Sequence, residues 1–201
     1  MIGLPRRLLF AGVVMLPVAA LAEAPPAPAV PVAALLDALM AGMRAGKATP
    51  FATRAAKLRP AIEGCFDLRA ILQASVGLRW AGFTPAQQAS LLDAFRDFTV
   101  ATWVANFDTD DGGRFELLPG LRAVGSDQVV ATRIVPKDGD PTRLDYVMRQ
   151  TPAGWRAVDI LVEGSISRVA VQRSDFRALL SGGDPAPLID MLKGKAAGLA
   201  H

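Results

Sequence analysis

Few residues in this chain are of a type and spacing that could do covalent chemistry. Tyr146, Asp145 and Asp159 are the candidates for acid and base, and all three sit in segments with strand-like alternation. Strand parity puts Asp145 and Asp159 on the face opposite Tyr146, Val158 and Ile160, and a general acid or base must reach the same substrate atom. The three are therefore expected as a core tyrosine and two outward charges. The single histidine is His201, at the very end of the chain, so neither a Ser-His-Asp triad nor a histidine-ligated metal in the core is expected. No G-x-S-x-G, no phosphate-cradling glycine loop and no cysteine pair is present, since Cys65 is alone. Cys65 is expected as a small buried apolar residue. Asp108-Thr109-Asp110-Asp111-Gly112-Gly113 faintly resembles the start of a calcium loop. Its fifth position is Gly112 and its twelfth Pro119, where a bidentate glutamate is required, so a solvated turn is expected. The residues point away from an enzyme and require no cofactor.

The elements are clearer than the chemistry. Arg143 to Phe176 organises the rest. Leu144, Tyr146 and Met148 alternate with polar residues, Thr151-Pro152-Ala153-Gly154 is turn chemistry, and Trp155 to Val162 reads as a second strand with Val158, Ile160 and Val162 on one side. Ser165 to Leu180 then changes to helical spacing through Ile166, Val169, Phe176 and Leu180. A hairpin feeding a helix can enclose an apolar space.

Ahead of this unit, the spacing predicts helices over Val32–Arg44, from a Thr49 cap and Pro50 to about Glu63, and from an Asp67 cap to Val76, with Gly77 to Gly82 interrupting. Thr84-Pro85-Ala86-Gln87 is a capping box that opens a helix to about Phe107. Along its broad inner face lie Gln88, Leu91, Leu92, Phe95, Phe98, Thr99, Thr102, Trp103 and Asn106. Strands are predicted over Arg114–Leu118, closed by Pro119-Gly120, and over Asp127–Val135. A last helix runs from an Asp184-Pro185 cap to Lys195. Segregated helices and strands predict an α+β fold, with a roughly four-stranded curved antiparallel sheet packed on several helices and an apolar cavity between them.

The first residues read differently. MIGLPRR is basic, Leu8 to Leu21 is apolar and Ala20-Leu21-Ala22 is a small-x-small cleavage site, so residues 1–22 are expected to be a secretory signal peptide. Residues 23–31, rich in Ala and Pro, are expected as a flexible or extended lead-in, and residues 32–197 as a single domain. No later segment is expected to span a bilayer. The leader holds Arg6 and Arg7 of the 22 basic residues and no acid, so the remainder is nearly balanced against 19 acidic residues. With no polybasic block, nucleic-acid binding is not expected.

The motifs together resemble the toluene-tolerance/MlaC family of periplasmic lipid-binding proteins. Phe66-Asp67, Val76-Gly77 with Trp80, Thr84-Pro85-x-Gln87, Ala94-Phe95 and Thr102 carry the first half of the resemblance. Leu144-Asp145-Tyr146-x-x-Arg149, Gly154-Trp155-Arg156-x-x-Asp159 and Glu163-Gly164-Ser165-Ile166-Ser167 carry the second, followed by Arg173-Ser174-x-Phe176 and Gly182-Gly183 before Leu188-Ile189. It covers residues 31 to 197. Asn106-Phe107-Asp108, Arg114-Phe115-Glu116, Thr132-Arg133 and Ser167 through Arg173-Ser174 resemble most the hopanoid-biosynthesis-associated HpnM branch. Two residues depart from the pattern: Trp103 stands where Tyr is usual, and Gln172 where Tyr or Arg is.

The resemblance implies a periplasmic shuttle, similar to cone-shaped α+β folds, that holds the tails of a phospholipid or hopanoid between sheet and helices. It implies membrane-bound lipid transport components as partners and leaves room for transient contact with a membrane surface. The expected wall is Phe95, Phe98 and Trp103 from the long helix, Tyr146, Met148, Val158, Ile160 and Val162 from the sheet, and Ile166, Val169 and Phe176 from the following helix. Arg149 and Arg173 could meet a lipid phosphate or an acidic partner, or form surface ion pairs. The rival readings are an exported adaptor with a filled core and an enzyme with a cone-shaped pocket.

Overall fold

The computed structural model describes residues 26–200. The expected signal peptide, residues 1–22, lies outside the described residues. A turn of 3-10 helix, Ala27–Ala29, leads straight into α1, Val30–Ala45. After an extended Pro26 the lead-in is therefore helical from Ala27 onward: Ala29 is buried, and Pro28 suits the first turn of a helix because its missing N–H would have no partner there anyway. Ala27–Ala45 is also long and apolar enough by length and composition to cross a bilayer, contrary to the sequence expectation. Its Val32, Leu35, Leu36, Leu39 and Met43 form one stripe that packs into the protein core.

Three more helices follow: α2 at Phe51–Cys65, α3 at Leu68–Val76 and, after a 3-10 segment at Gly77–Gly82, α4 at Pro85–Asn106. Asp67 caps α3 as expected, accepting the Ala70 N–H at 2.9 Å. Thr84 and Gln87 make both arms of the capping box, at 3.2 and 2.9 Å. Thr49 does not cap α2. The N-cap is Pro50, and the Thr49 hydroxyl donates back to the Ala45 carbonyl at 3.0 Å, closing the turn after α1.

The sheet is an antiparallel meander in the order β1 (Arg114–Val124), β2 (Asp127–Val135), β3 (Thr142–Thr151), β4 (Gly154–Val162) and β5 (Ile166–Ser167). Pro119-Gly120 does not end β1. The register shifts between Leu117, opposite Thr132, and Leu121, opposite Val130, and the strand resumes. Pro119 lies in the stretch of this edge strand that has no partner across the ladder, so its missing N–H costs no ladder bond, and Gly120 takes φ +85°, so the break is a bulge. A second bulge lies in β4: Tyr146 pairs with Ile160 and Val147 with Asp159, but Met148 pairs with Ala157, leaving Val158 as the extra residue.

Two helices complete the fold, α5 at Arg168–Leu179 and α6 at Ala186–Leu199. The helix expected from Ser165 begins later because Ile166 and Ser167 pair with Val162 and Leu161 as β5, and Ser167 then caps α5 through the Ala170 N–H. α6 packs along α4 with Leu188 and Leu192 fully buried. Its N-cap is Pro185, while Asp184 accepts the Ala186 N–H. The core joins Ile62, Cys65 and Phe66 of α2 and its end to Leu91, Leu92 and Phe95 of α4 and to Val130, Tyr146, Met148 and Ala157 of the sheet. On the opposite sheet face Asp145 is fully buried under Arg143, at 2.7 Å, and Arg122, at 3.6 Å, so the expected outward charge is covered by its own ion pairs.

Candidate functional site

A cavity of about 340 Å³ lies between α4, the β3–β4 hairpin, α3 and the start of α5. Each wall follows from the local sequence. α4 contributes Phe95, Phe98, Thr99, Thr102 and Trp103, spaced three and four apart on one face of a helix whose start is set by the capping box. β3 and β4 contribute the paired residues Leu144 and Val162 together with Ile160. Leu68 and Ile71 come from α3, and Arg168, Val169 and Gln172 from the first turns of α5.

Of the residues predicted for the wall, the structure brings Phe95, Phe98, Trp103, Ile160, Val162 and Val169 together around this cavity. Tyr146, Met148 and Phe176 are elsewhere: each is buried in the packed core and none lines the cavity. Val158 is the bulge residue of β4, half-buried and outside the lining, because one inserted residue breaks the strict alternation from which its placement was inferred. Ile166 is 53% exposed, since it pairs in β5 and does not turn in on a helix.

The cavity also gathers residues that sequence reasoning missed. Phe66, at the end of α2, packs on Trp103 at 5.7 Å and on Tyr146 at 6.0 Å between ring centroids. Phe107 stacks on Trp103 at 5.5 Å with 22° between the planes. Leu144, Thr99, Thr102 and Asn106 carried a usable signal, because they share their strand's or helix's inward stripe. The Thr99 and Thr102 hydroxyls donate to the Phe95 and Phe98 carbonyls, both at 2.8 Å, so they ask no polar partner of the cavity. Trp103 and Gln172, the two departures from the family pattern, both line it.

The charged residues in the lining are the half-buried Asp159 and the exposed Arg168. Asp159 lines the cavity and does not point outward as parity predicted, since the bulge beside it turns the chain. Its carboxylate accepts the Ile160 N–H at 2.8 Å, the Val169 N–H at 3.1 Å and the Ser167 hydroxyl, so it holds the N-terminus of α5 against β4. Ser75 joins α3 to α5, with its hydroxyl 3.1 Å from the Gln172 side-chain oxygen.

Arg149 makes a two-pronged ion pair with Asp127, at 3.0 and 2.7 Å, and Arg173 donates twice to the Ala74 carbonyl, at 2.9 and 2.6 Å. Both guanidinium groups are committed to the protein. Burial pushes the Cys65 thiol up to about 12 against a smaller opposing pull from Arg156, and burial raises the Tyr146 hydroxyl further. Neither is poised for proton transfer near neutrality. In the Asp108–Gly113 loop, Asp110 and Asp111 accept the N–H groups of Gly112 and Gly113. Among the described residues no group of three or more His, Cys, Asp or Glu is placed to hold a metal ion.

This geometry has relatives. No curated protein matches the chain. The phospholipid-binding protein from Ralstonia solanacearum, solved in complex with a phospholipid, superposes with a TM-score of 0.74 at 22% identity, over 88% of this chain and 100% of that one. At that identity the likeness establishes the α+β fold. The family described as MlaC protein matches residues 33–194, a span that takes in α2 to α5, the whole sheet and every residue lining the cavity, and on that match the chain belongs to the MlaC family.

Proposed function

We propose that this protein is a periplasmic carrier that encloses the hydrocarbon of a phospholipid or hopanoid-type lipid in the cavity under α4 and exchanges it with membrane-bound transport components. The observation that carries the reading is the cavity itself, which side chains of the protein leave open between α4 and the hairpin and whose lining is mostly apolar. Membership of the MlaC family supports it, as does the shared fold of the Ralstonia protein that holds a phospholipid.

The physics suits a carrier. Each methylene taken from water is worth about 0.8 kcal/mol, so a dozen contribute on the order of 10 kcal/mol without any covalent step. That is a large share of any realistic binding free energy, so the tail must be mostly enclosed. Arg168 stands exposed at the edge of the lining, where an anionic head group would meet it while remaining in water. Trp103 and Gln172 replace the family's usual residues in that wall and are the positions from which a preference between flexible tails and flat ring systems would come.

Mass spectrometry of protein released gently from the periplasm tests the reading. Stoichiometric co-purifying lipid is expected, its mass separating phospholipid from hopanoid. Protein that is lipid-free as isolated and takes up none from vesicles would overturn it.

A further inference from the structure

A second recess of about 370 Å³ lies on the far side of Asn106 and Phe107, the two residues it shares with the first cavity. Its apolar wall is Met43 from α1, Phe115 from β1 and Ile134, Val135 and Pro136 from the end of β2. The charges on its rim already have partners. Asp108 pairs with Lys47 at 3.4 Å, Arg114 with Glu116 at 2.7 Å, and Asp111 accepts the Gly113 N–H at 2.9 Å. Between these paired charges the recess presents the apolar side chains of Met43, Phe107, Phe115, Ile134, Val135 and Pro136.

Phe107 is the partition. Its ring lies 5.5 Å from Trp103, a wall of the first cavity, and 5.3 Å from Phe115, a wall of the second. It is also the C-cap of α4, at φ −126° and ψ 61°, so its backbone has left the helix and a change in its side-chain torsions breaks no helical turn. The first cavity alone, at about 340 Å³, is at the small end of the roughly 300–1,000 Å³ of pockets that enclose a drug-sized molecule. Two lipid tails exceed that size. With the ring turned aside, the two spaces adjoin and the room for hydrocarbon roughly doubles.

We propose that the second recess takes the second hydrocarbon tail of a two-tailed lipid, and that Phe107 decides whether one tail or two are held. This rests on the carrier reading above. The two spaces offer each tail its own apolar wall, with the partition residue Phe107 between them.

The test uses the full chain, stripped of lipid and offered equal amounts of one-tailed and two-tailed phosphatidylglycerol, with native mass spectrometry reading the ratio of the two complexes. Phe107→Ala is expected to raise the two-tailed to one-tailed ratio, and Ile134→Trp, which fills the second recess, to lower it. Each change should be roughly tenfold, the worth of about two buried methylenes. The same ratio in wild type and both variants would overturn the proposal while leaving the carrier reading intact. Binding of neither lipid by any of the proteins would overturn both. Should Phe107→Ala fail to fold, the ratio in Ile134→Trp decides alone.

Discussion

Cys65 and Tyr146 share a part of the core from which water is excluded, and beyond burial the charge of an ionised Cys65 raises the Tyr146 hydroxyl. Because the folded thiol is raised to about 12 while an unfolded one titrates near 8.5, the native state binds the proton more tightly. Its contribution is fully present below the unfolded value and is lost as pH rises toward 12, at about 1.4 kcal/mol per pH unit for one group. Urea midpoints should therefore fall between pH 9 and 11, and Cys65→Ala should fall less steeply than wild type. Equal slopes would mean that burial does not govern this thiol. At this scale the sequence was legible where side-chain type decides the outcome. A lone cysteine was expected in the core and is there, and Phe95, Phe98 and Trp103 were expected on one face and share one cavity. It was illegible where a single inserted residue decides. Val158 and Asp159 were placed by strict alternation, and the β4 bulge moved one out of the lining and the other into it.

Helices were the easier elements to read because their ends are written locally. Asp67 and the Thr84–Gln87 pair mark their own starts with hydrogen bonds that span three residues. Sheet irregularities depend on what lies across the ladder, so Pro119-Gly120 looked like a strand end and is a bulge inside an eleven-residue edge strand. The two-residue β5 was hidden for the same reason, since two residues are too few to show a period. The β1 bulge yields a prediction at this scale. Gly120 has φ +85° and open space where a Cβ would stand, so Gly120→Ala meets no clash, only the left-handed backbone penalty. It should lower stability by about 1–2 kcal/mol in a denaturant titration. No measurable loss would show that the edge relaxes into another register.

For the whole molecule, a ligand held by the folded state alone must stabilise it. At a free concentration about a hundred times its dissociation constant, bound lipid should contribute about 2.7 kcal/mol. For a protein of this length that is a rise in Tm of roughly 5–10 °C, lost on delipidation and restored by adding lipid back. An unchanged Tm in both directions would argue that no site of that affinity exists. The packing of α6 on α4 has a temporal counterpart. α4 supplies the longest wall of the cavity, yet its other side is sealed by Leu188 and Leu192, which reach it from α6 after every strand has been made. A chain released from its N-terminus onward can finish that wall only once residue 192 is free. Under the carrier reading proposed above, a nascent chain passing through a membrane would until then have no completed hollow in which to trap the bilayer's own lipid.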